Sequence, residues 1–350
     1  MRPLATSVRL RAASAALALA TGALLWQSTG TVQAAAAPGR FPVTATVETA
    51  PVSHSGDAAD DPAIWVHPTD PSRSVIVTTD KKGALEVLDF SGNRVQRING
   101  DHGNNVDLRG DIVVSADDEA ANGAGAMHIY RIDPATRKLT HLKDVATDVT
   151  AHGICMYTSP TSGKLYAYPN STSGRIEQWE LAVRGDEVTA TSVRLFDAGS
   201  AVEGCYADEK TGRLYLGEED VGVWVYGAEP TAGTTRTKLD STGSGGHLTA
   251  DAEGITAAGR YLIVSSQGSN DFAVYDRTGG GYLGRFAVTK GTAADGCEDT
   301  DGIDATAAPL GAKFPGGVFV CQDGTNSAPG TSGNQNFKLV PFERISSVLG

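Results

Sequence analysis

Six short polar openings recur along this chain, each running directly into a strand-like segment: Asp60-Asp61-Pro62, Asn104-Asn105-Val106, His152-Gly153-Ile154, Glu203-Gly204-Cys205, Glu253-Gly254-Ile255 and Asp301-Gly302-Ile303. Measured from Asp61, successive openings lie 43, 48, 51, 50 and 48 residues apart. A second series falls at the far end of the next strand in each repeat: Lys81, Asp118, a position near Thr172, Glu219, Gln267 and Asp323. Asp60, Asp107, Asp251, Asp299 and Asp304 lie close to one series or the other. Carboxylates gathered in such numbers around one narrow opening repel one another unless cations or protons neutralise them. The donors are oxygens on loops, which suits calcium, a hard ion taking about six to eight of them. The spacing shows no Cys/His cluster that would favour zinc or copper.

A single Asp before Gly or Pro is ordinary turn chemistry. Turns do not require long glutamates, so recurrence singles out Glu203, Glu219, Glu253 and Asp301. Asp299-Thr300-Asp301-Gly302-Ile303-Asp304 is superficially similar to an EF-hand loop but lacks its flanking helices and twelve-residue frame. Lys81 occupies a ring position among acids, where it can contact an anionic ligand, and Lys82 shares its hairpin tip. His152, taken by itself, reads as a packed or hydrogen-bonded channel residue rather than a ligand.

The elements that must position these groups are short β-rich runs separated by Gly, Pro, Asn and Asp turns. In the first repeat they read Ala63–His67, Ser74–Thr79, Ala84–Phe90 and Arg94–Ile98. A near-constant period in this range marks a radial repeat. Six four-stranded units predict an all-β, six-bladed propeller over residues 38–350. In such a fold the start of each first strand and the end of each second strand share a face. The sixth unit runs out of chain for a fourth strand, and Val43–Glu48 has the composition to supply it and close the ring. No segment of convincing helical period follows the N-terminal apolar run.

That run, Ala12 to Trp26, is preceded by Arg2, Arg9 and Arg11 and followed by small residues, the layout of a cleaved secretory signal over residues 1–35. It is shorter than a bilayer span requires. Removing it takes three arginines from the 29 Lys+Arg and none of the 41 Asp+Glu, leaving 26 against 41 and a formal charge of −15. That balance disfavours nucleic acid and anionic membranes as partners. Secretion permits disulfides among Cys155, Cys205, Cys297 and Cys321. Cys297 and Cys321 fall in one repeat and could be linked. Strand alternation places Cys155 and Cys205 on opposite faces and argues against a bridge between them, unless a bulge intervenes.

Taken together, the blocks DDPAIWVHP, TTDKKGALEV, NNVDLR, EGCYADEKTGRLYLGEED, LTADAEGI, SSQGSNDFAVYDR, DTDGID, VCQDGTN and NQNFKLVPFERI resemble the β-propeller phytases, over about Thr46 to Ile345. The resemblance implies a secreted, calcium-dependent phosphoric monoester hydrolase. Its substrate would be inositol hexakisphosphate, taken as its calcium complex by a monomer holding several calcium ions. It implies calcium ligands at Asp60, Asp61, Glu203, Glu219, Asp251, Glu253, Gln267, Asp301 and Asp323, with Asn104 and Asp107 beside them; Asp299 and Asp304 are further metal candidates by their place next to the two series. Asp61, Glu203, Glu219 and Glu253 are the expected catalytic carboxylates, around a calcium-activated water. Lys81, Lys82, His152 and Arg175 are the expected phosphate contacts. Three positions depart from the family pattern: Asp118 where an arginine is usual, His152 for a tyrosine and Thr172 for a lysine. They remove phosphate contacts and leave the carboxylates intact. Two other readings stay open: a calcium-dependent propeller lactonase or esterase, and a non-catalytic calcium-dependent polyanion binder.

Overall fold

Strand after strand is a run of four to seven residues rich in Val, Ile, Tyr and Phe, too short for a helix and bounded by turns. Val75–Asp80, for example, reads VIVTTD and is buried throughout. A computed structural model describes residues 39–120, 124–327 and 333–349. It arranges these strands as six sheets around a channel, antiparallel but for one edge strand. The innermost strands are Ala59–Trp65, Gly103–Arg109, Met156–Thr158, Val202–Asp208, Ala252–Ala258 and Ile303–Thr306. Apolar side chains fill the space between neighbouring blades, as where Phe319 of blade six meets Phe272 and Phe286 of blade five edge to face. The signal-peptide reading of residues 1–35 lies outside the described residues.

The ring closes as expected, with one addition. Val47–Glu48 pairs antiparallel with Asn336–Pro341 and serves as the outer strand of blade six. Ahead of it, Arg40–Val43 forms a separate strand, parallel to Tyr282–Val288 at the outer edge of blade five. The predicted single strand over Val43–Glu48 is therefore two, clasping both sides of the closure. The expectation of no helix is also corrected: Glu343–Leu349 is helical. Ile345, its one buried residue, packs into the cluster between blades five and six. Two turns with a single buried residue carry too little periodicity to read.

The polar openings coincide with register breaks. The first and second strands of blades one, two, four and five slip register between Ala59 and Pro62, Gly103 and Asn105, Val202 and Cys205, and Ala252 and Ile255. A bulge bends the strand and re-aims the side chains beside it. In blade one the residues it leaves out of the pairing are Asp60 and Asp61, directly before Pro62, which has no N–H to give the ladder. Strand one accordingly begins at Ala59, four residues before the predicted start, with both aspartates inside it.

The same slip overturns the parity argument on the cysteines. Cys155 is bonded to Cys205, across blades three and four, and Cys297 to Cys321 within blade six. Cys205 follows a bulge and Cys155 precedes its strand, so alternation counts for neither.

Candidate metal centre at the channel mouth

Adjacent residues at the openings face different places. Asp60 turns to the mouth and Asp61 into the channel. At the mouth, Asp60 is 1% exposed and its carboxylate accepts from Lys81 Nζ at 2.9 Å and Asn105 Nδ2 at 2.9 Å. Glu203 stands at the centre. Its Oε1 accepts from both Asn104 Nδ2 and Asn105 Nδ2 at 3.1 Å. Its Oε2 lies 3.0 Å from His152 Nε2. His152 Nδ1 in turn lies 2.7 Å from Asp118 Oδ2. Gln267 donates through Nε2 to Asp301. His152, Glu203 and Glu219 offer ligand atoms within 4.8 Å of one another. The surrounding cavity, about 610 Å³, is lined by Asp57, Asp60, Lys81, His152, Glu203, Gln267, Asp299, Asp301 and Gln335, among others.

The electrostatics are those of acids held together by structure. Burial pushes Asp60 up to about 7, the charge of Glu203 adds to that, and Lys81 opposes it. Burial and then the charges of Glu203, Asp301 and Glu219 raise Glu253 well above the carboxylate range. Asp301 rises likewise, by burial and then by Asp60 and Glu203. Glu219 and Asp251 are raised more modestly, burial again leading. Burial opposes ionisation of Glu203 too, but the hydrogen bond and charge of His152 prevail and lower it. His152 is pushed up to about 11: burial disfavours the imidazolium, and the bonds to Asp118 and Glu203 outweigh burial. Asp118 is thus the partner that holds a positive charge beside Glu203, rather than an isolated negative one.

The residues fit a hard cation. Glu253 is 5% exposed, and its Oε2 is buried with no hydrogen-bond partner. A buried carboxylate oxygen left unpaired costs free energy that a coordinated cation would recover. Apart from His152, held as an imidazolium by Asp118 and Glu203, the groups here offer oxygen donors.

Other candidates lie elsewhere. Asp61, Asp107 and Asp304 line a smaller cavity of about 90 Å³ inside the channel. Each accepts a backbone N–H from the next blade: Val106 at 3.1 Å, Met156 at 2.7 Å and Ile64 at 2.7 Å. They tie neighbouring blades together around the axis. Burial raises all three, Asp304 to about 6. Asp323 is held by the ammonium of Lys338, 3.0 Å away and 0% exposed, which also meets Asp295 and Glu48. Lys82 donates to the Ser55 carbonyl, and Arg175 is exposed at the start of a strand in blade three. Neither lines the mouth cavity.

Sequence reading missed Asn105, which bridges Asp60 and Glu203, although the Asn104-Asn105 doublet was a signal. It also missed Asp57, 3.1 Å from Lys81. Gln335, whose Oε1 accepts from the backbone of Ala58 and Ala59, left no signal at all.

Comparison with known proteins identifies the family. The model of the Phytase family matches residues 7–350. A 3-phytase of Bacillus subtilis (strain 168) is 40% identical over 329 residues, covering 89% of this chain and 86% of that protein. A solved structure, Kuenenia stuttgartiensis hydrazine synthase, aligns with a TM-score of 0.48 at 14% identity, over 84% of this chain and 95% of that one. That likeness is too slight to bear on the chemistry. By the family match and the Bacillus relative, this chain belongs to the Phytase family and is a phosphoric monoester hydrolase.

Proposed function

We propose that the mouth holds calcium ions and hydrolyses phosphomonoesters of inositol hexakisphosphate outside the cell. The observation that carries the reading is the group Asp60, Glu203 and Glu253, each buried, with the half-buried Asp301 beside them and one Glu253 oxygen unpaired. These four, with Glu219, Asp251 and Gln267, would hold the ions, and Asn104 and Asp299 border them. Asp61, Asp107 and Asp304 form a separate carboxylate set below. When bound, calcium neutralises the carboxylates, polarises phosphoryl oxygens and lowers the pKa of water.

The chain's own groups then have distinct tasks. Asn104 and Asn105 fix the Glu203 carboxylate by two amide hydrogen bonds, which limits its rotation. Lys81, held by Asp57 and Asp60, and the imidazolium of His152 are the positive groups facing the cavity, and they position a phosphate at its rim. Lys82 and Arg175 stand outside that cavity and serve at most a substrate's outer phosphates. Asp118 keeps His152 charged into the alkaline range.

Secretion and removal of residues 1–35 belong to the same reading. Two disulfides support an oxidising destination. N-terminal sequencing of protein from the culture medium tests it, and a chain retaining those residues would contradict it. For the activity, phosphate release from phytate with calcium varied is the test. Release from a lactone but not from phytate would replace the reading with an esterase, and binding without release would replace it with a polyanion-binding propeller.

A further inference from the structure

On the outer half of blade two, away from the mouth carboxylates, two histidines and an aspartate converge. His128 lies on the third strand, Ala126–Asp133, and His141 and Asp144 on the fourth, Lys138–Ala146. His128 pairs directly with Asp144 and His141 with Tyr130. In an unbroken ladder, His141 and Asp144, three apart, would face opposite sides of the sheet. The register slips between His141 and Lys143, which leaves one residue unpaired and brings His141 round to the face of His128 and Asp144. His128 Nδ1 is then 2.7 Å from Asp144 Oδ1, and His141 Nε2 is 2.6 Å from the same oxygen. The ligand atoms of the three residues all lie within 4.8 Å of one another.

The outer nitrogen of His128 is also occupied. His128 Nε2 lies 3.2 Å from Asp117 Oδ2. Asp117 is itself fixed by the Glu119 N–H on its other oxygen, at 2.9 Å. A metal-bound imidazole characteristically gives its second N–H to such a carboxylate, which sets its tautomer and orientation. The ring of Tyr130 meets His141 edge-on at 5.3 Å and limits its rotation. Asp144 and His141 are 60% and 47% exposed on their side chains, so the group is open to solvent and to an entering ion.

We propose that His128, His141 and Asp144 form a binding site for a first-row transition-metal dication, zinc by chemistry, distinct from the oxygen-donor mouth. Two imidazole nitrogens and one carboxylate suit zinc, copper or nickel and not calcium. Three protein ligands leave a coordination position for water. The sequence concealed the group because its histidines are thirteen residues apart on separate strands, and a bulge brings them together.

The test uses the whole secreted chain, stripped of transition metals and kept in excess calcium so that the oxygen sites are filled. Zinc chloride is titrated calorimetrically at neutral pH, and cobalt(II) is followed by its visible absorption. One zinc per chain is expected, displacing cobalt with loss of its bands. His128→Gln and His141→Gln should each weaken zinc binding by at least about tenfold, and Asp117→Asn by about tenfold. His152→Gln should leave the affinity unchanged, which separates this group from the mouth. Circular dichroism and melting in chelator, unchanged in the variants, would show that they fold. No zinc uptake, or uptake that His128→Gln and His141→Gln leave intact, would overturn the proposal and leave the cluster as a surface ion pair.

Discussion

Glu253 concentrates the electrostatic strain of the mouth in one side chain, buried among Glu203, Asp301, Glu219 and Asp60 with one oxygen unpaired. Glu253→Gln should therefore raise the melting temperature in chelator and shrink the increment that calcium adds. Calorimetric melts with and without calcium check both parts, and a variant that changed neither would contradict the account. The pH dependence follows from the same acids. Asp60 is raised from 3.8 to about 7 and Asp304 to about 6, so each holds a proton in the folded state that it has lost in the unfolded one. Stability then falls as pH rises from 3.8 to about 7. In chelator the melting temperature should decline across that window, and saturating calcium, which favours the ionised form, should flatten the decline. The acids were legible because Glu203, Glu219, Glu253 and Asp301 recur where turns do not need them. Which neighbour of a pair faces the mouth was not legible, because the bulge at Asp60-Asp61 decides it. Nor was the hold of Lys338 on Asp323, a contact set by burial in blade six rather than by spacing.

At the scale of elements, the openings depend on close approach between blades. A Cβ on Gly302 would lie 2.3 Å from Asp61 Oδ1 and 2.6 Å from the Asp60 carbonyl oxygen, and one on Gly204 would lie 2.2 Å from the Glu253 carbonyl oxygen. These glycines let one blade's polar residues stand against the next blade's backbone. Gly302→Ala should cost about 1–3 kcal/mol and lower the apparent calcium affinity, because it displaces both aspartates of blade one. Denaturant unfolding and a calcium titration check it, and unchanged values in both would show that the approach is not required. The glycines read from sequence as turn residues; their real constraint is the backbone of the neighbouring blade, which for Gly302 comes from the opposite end of the ring's chain. The strand count was legible from the alternating short runs. The bulges were not, since they cost one residue of register and leave composition unchanged. That single residue reversed the expectation for Cys155 and Cys205.

The described residues form a closed ring, and its closure joins an early strand pair to the last sheet. Val47–Glu48 completes blade six and Arg40–Val43 adds to blade five. Glu48 also reaches the buried ammonium of Lys338 at 2.9 Å. Deleting residues 39–49 exposes two sheet edges and leaves that ammonium one partner short. The truncated chain should melt well below the full chain and be cleaved faster by protease, and equal resistance would argue against the clasp. The period of the openings made the propeller legible from sequence. The second clasping strand stayed hidden, because a parallel edge strand of four residues carries no turn signal. The central claim, that the acidic mouth works only when calcium fills it, is tested most directly by phosphate release from phytate as calcium is varied. With saturating calcium the folded protein should release phosphate, and excess chelator should reduce the rate by about two orders of magnitude or more, reversibly. Undiminished release in chelator, or none from folded, calcium-saturated protein, would contradict it.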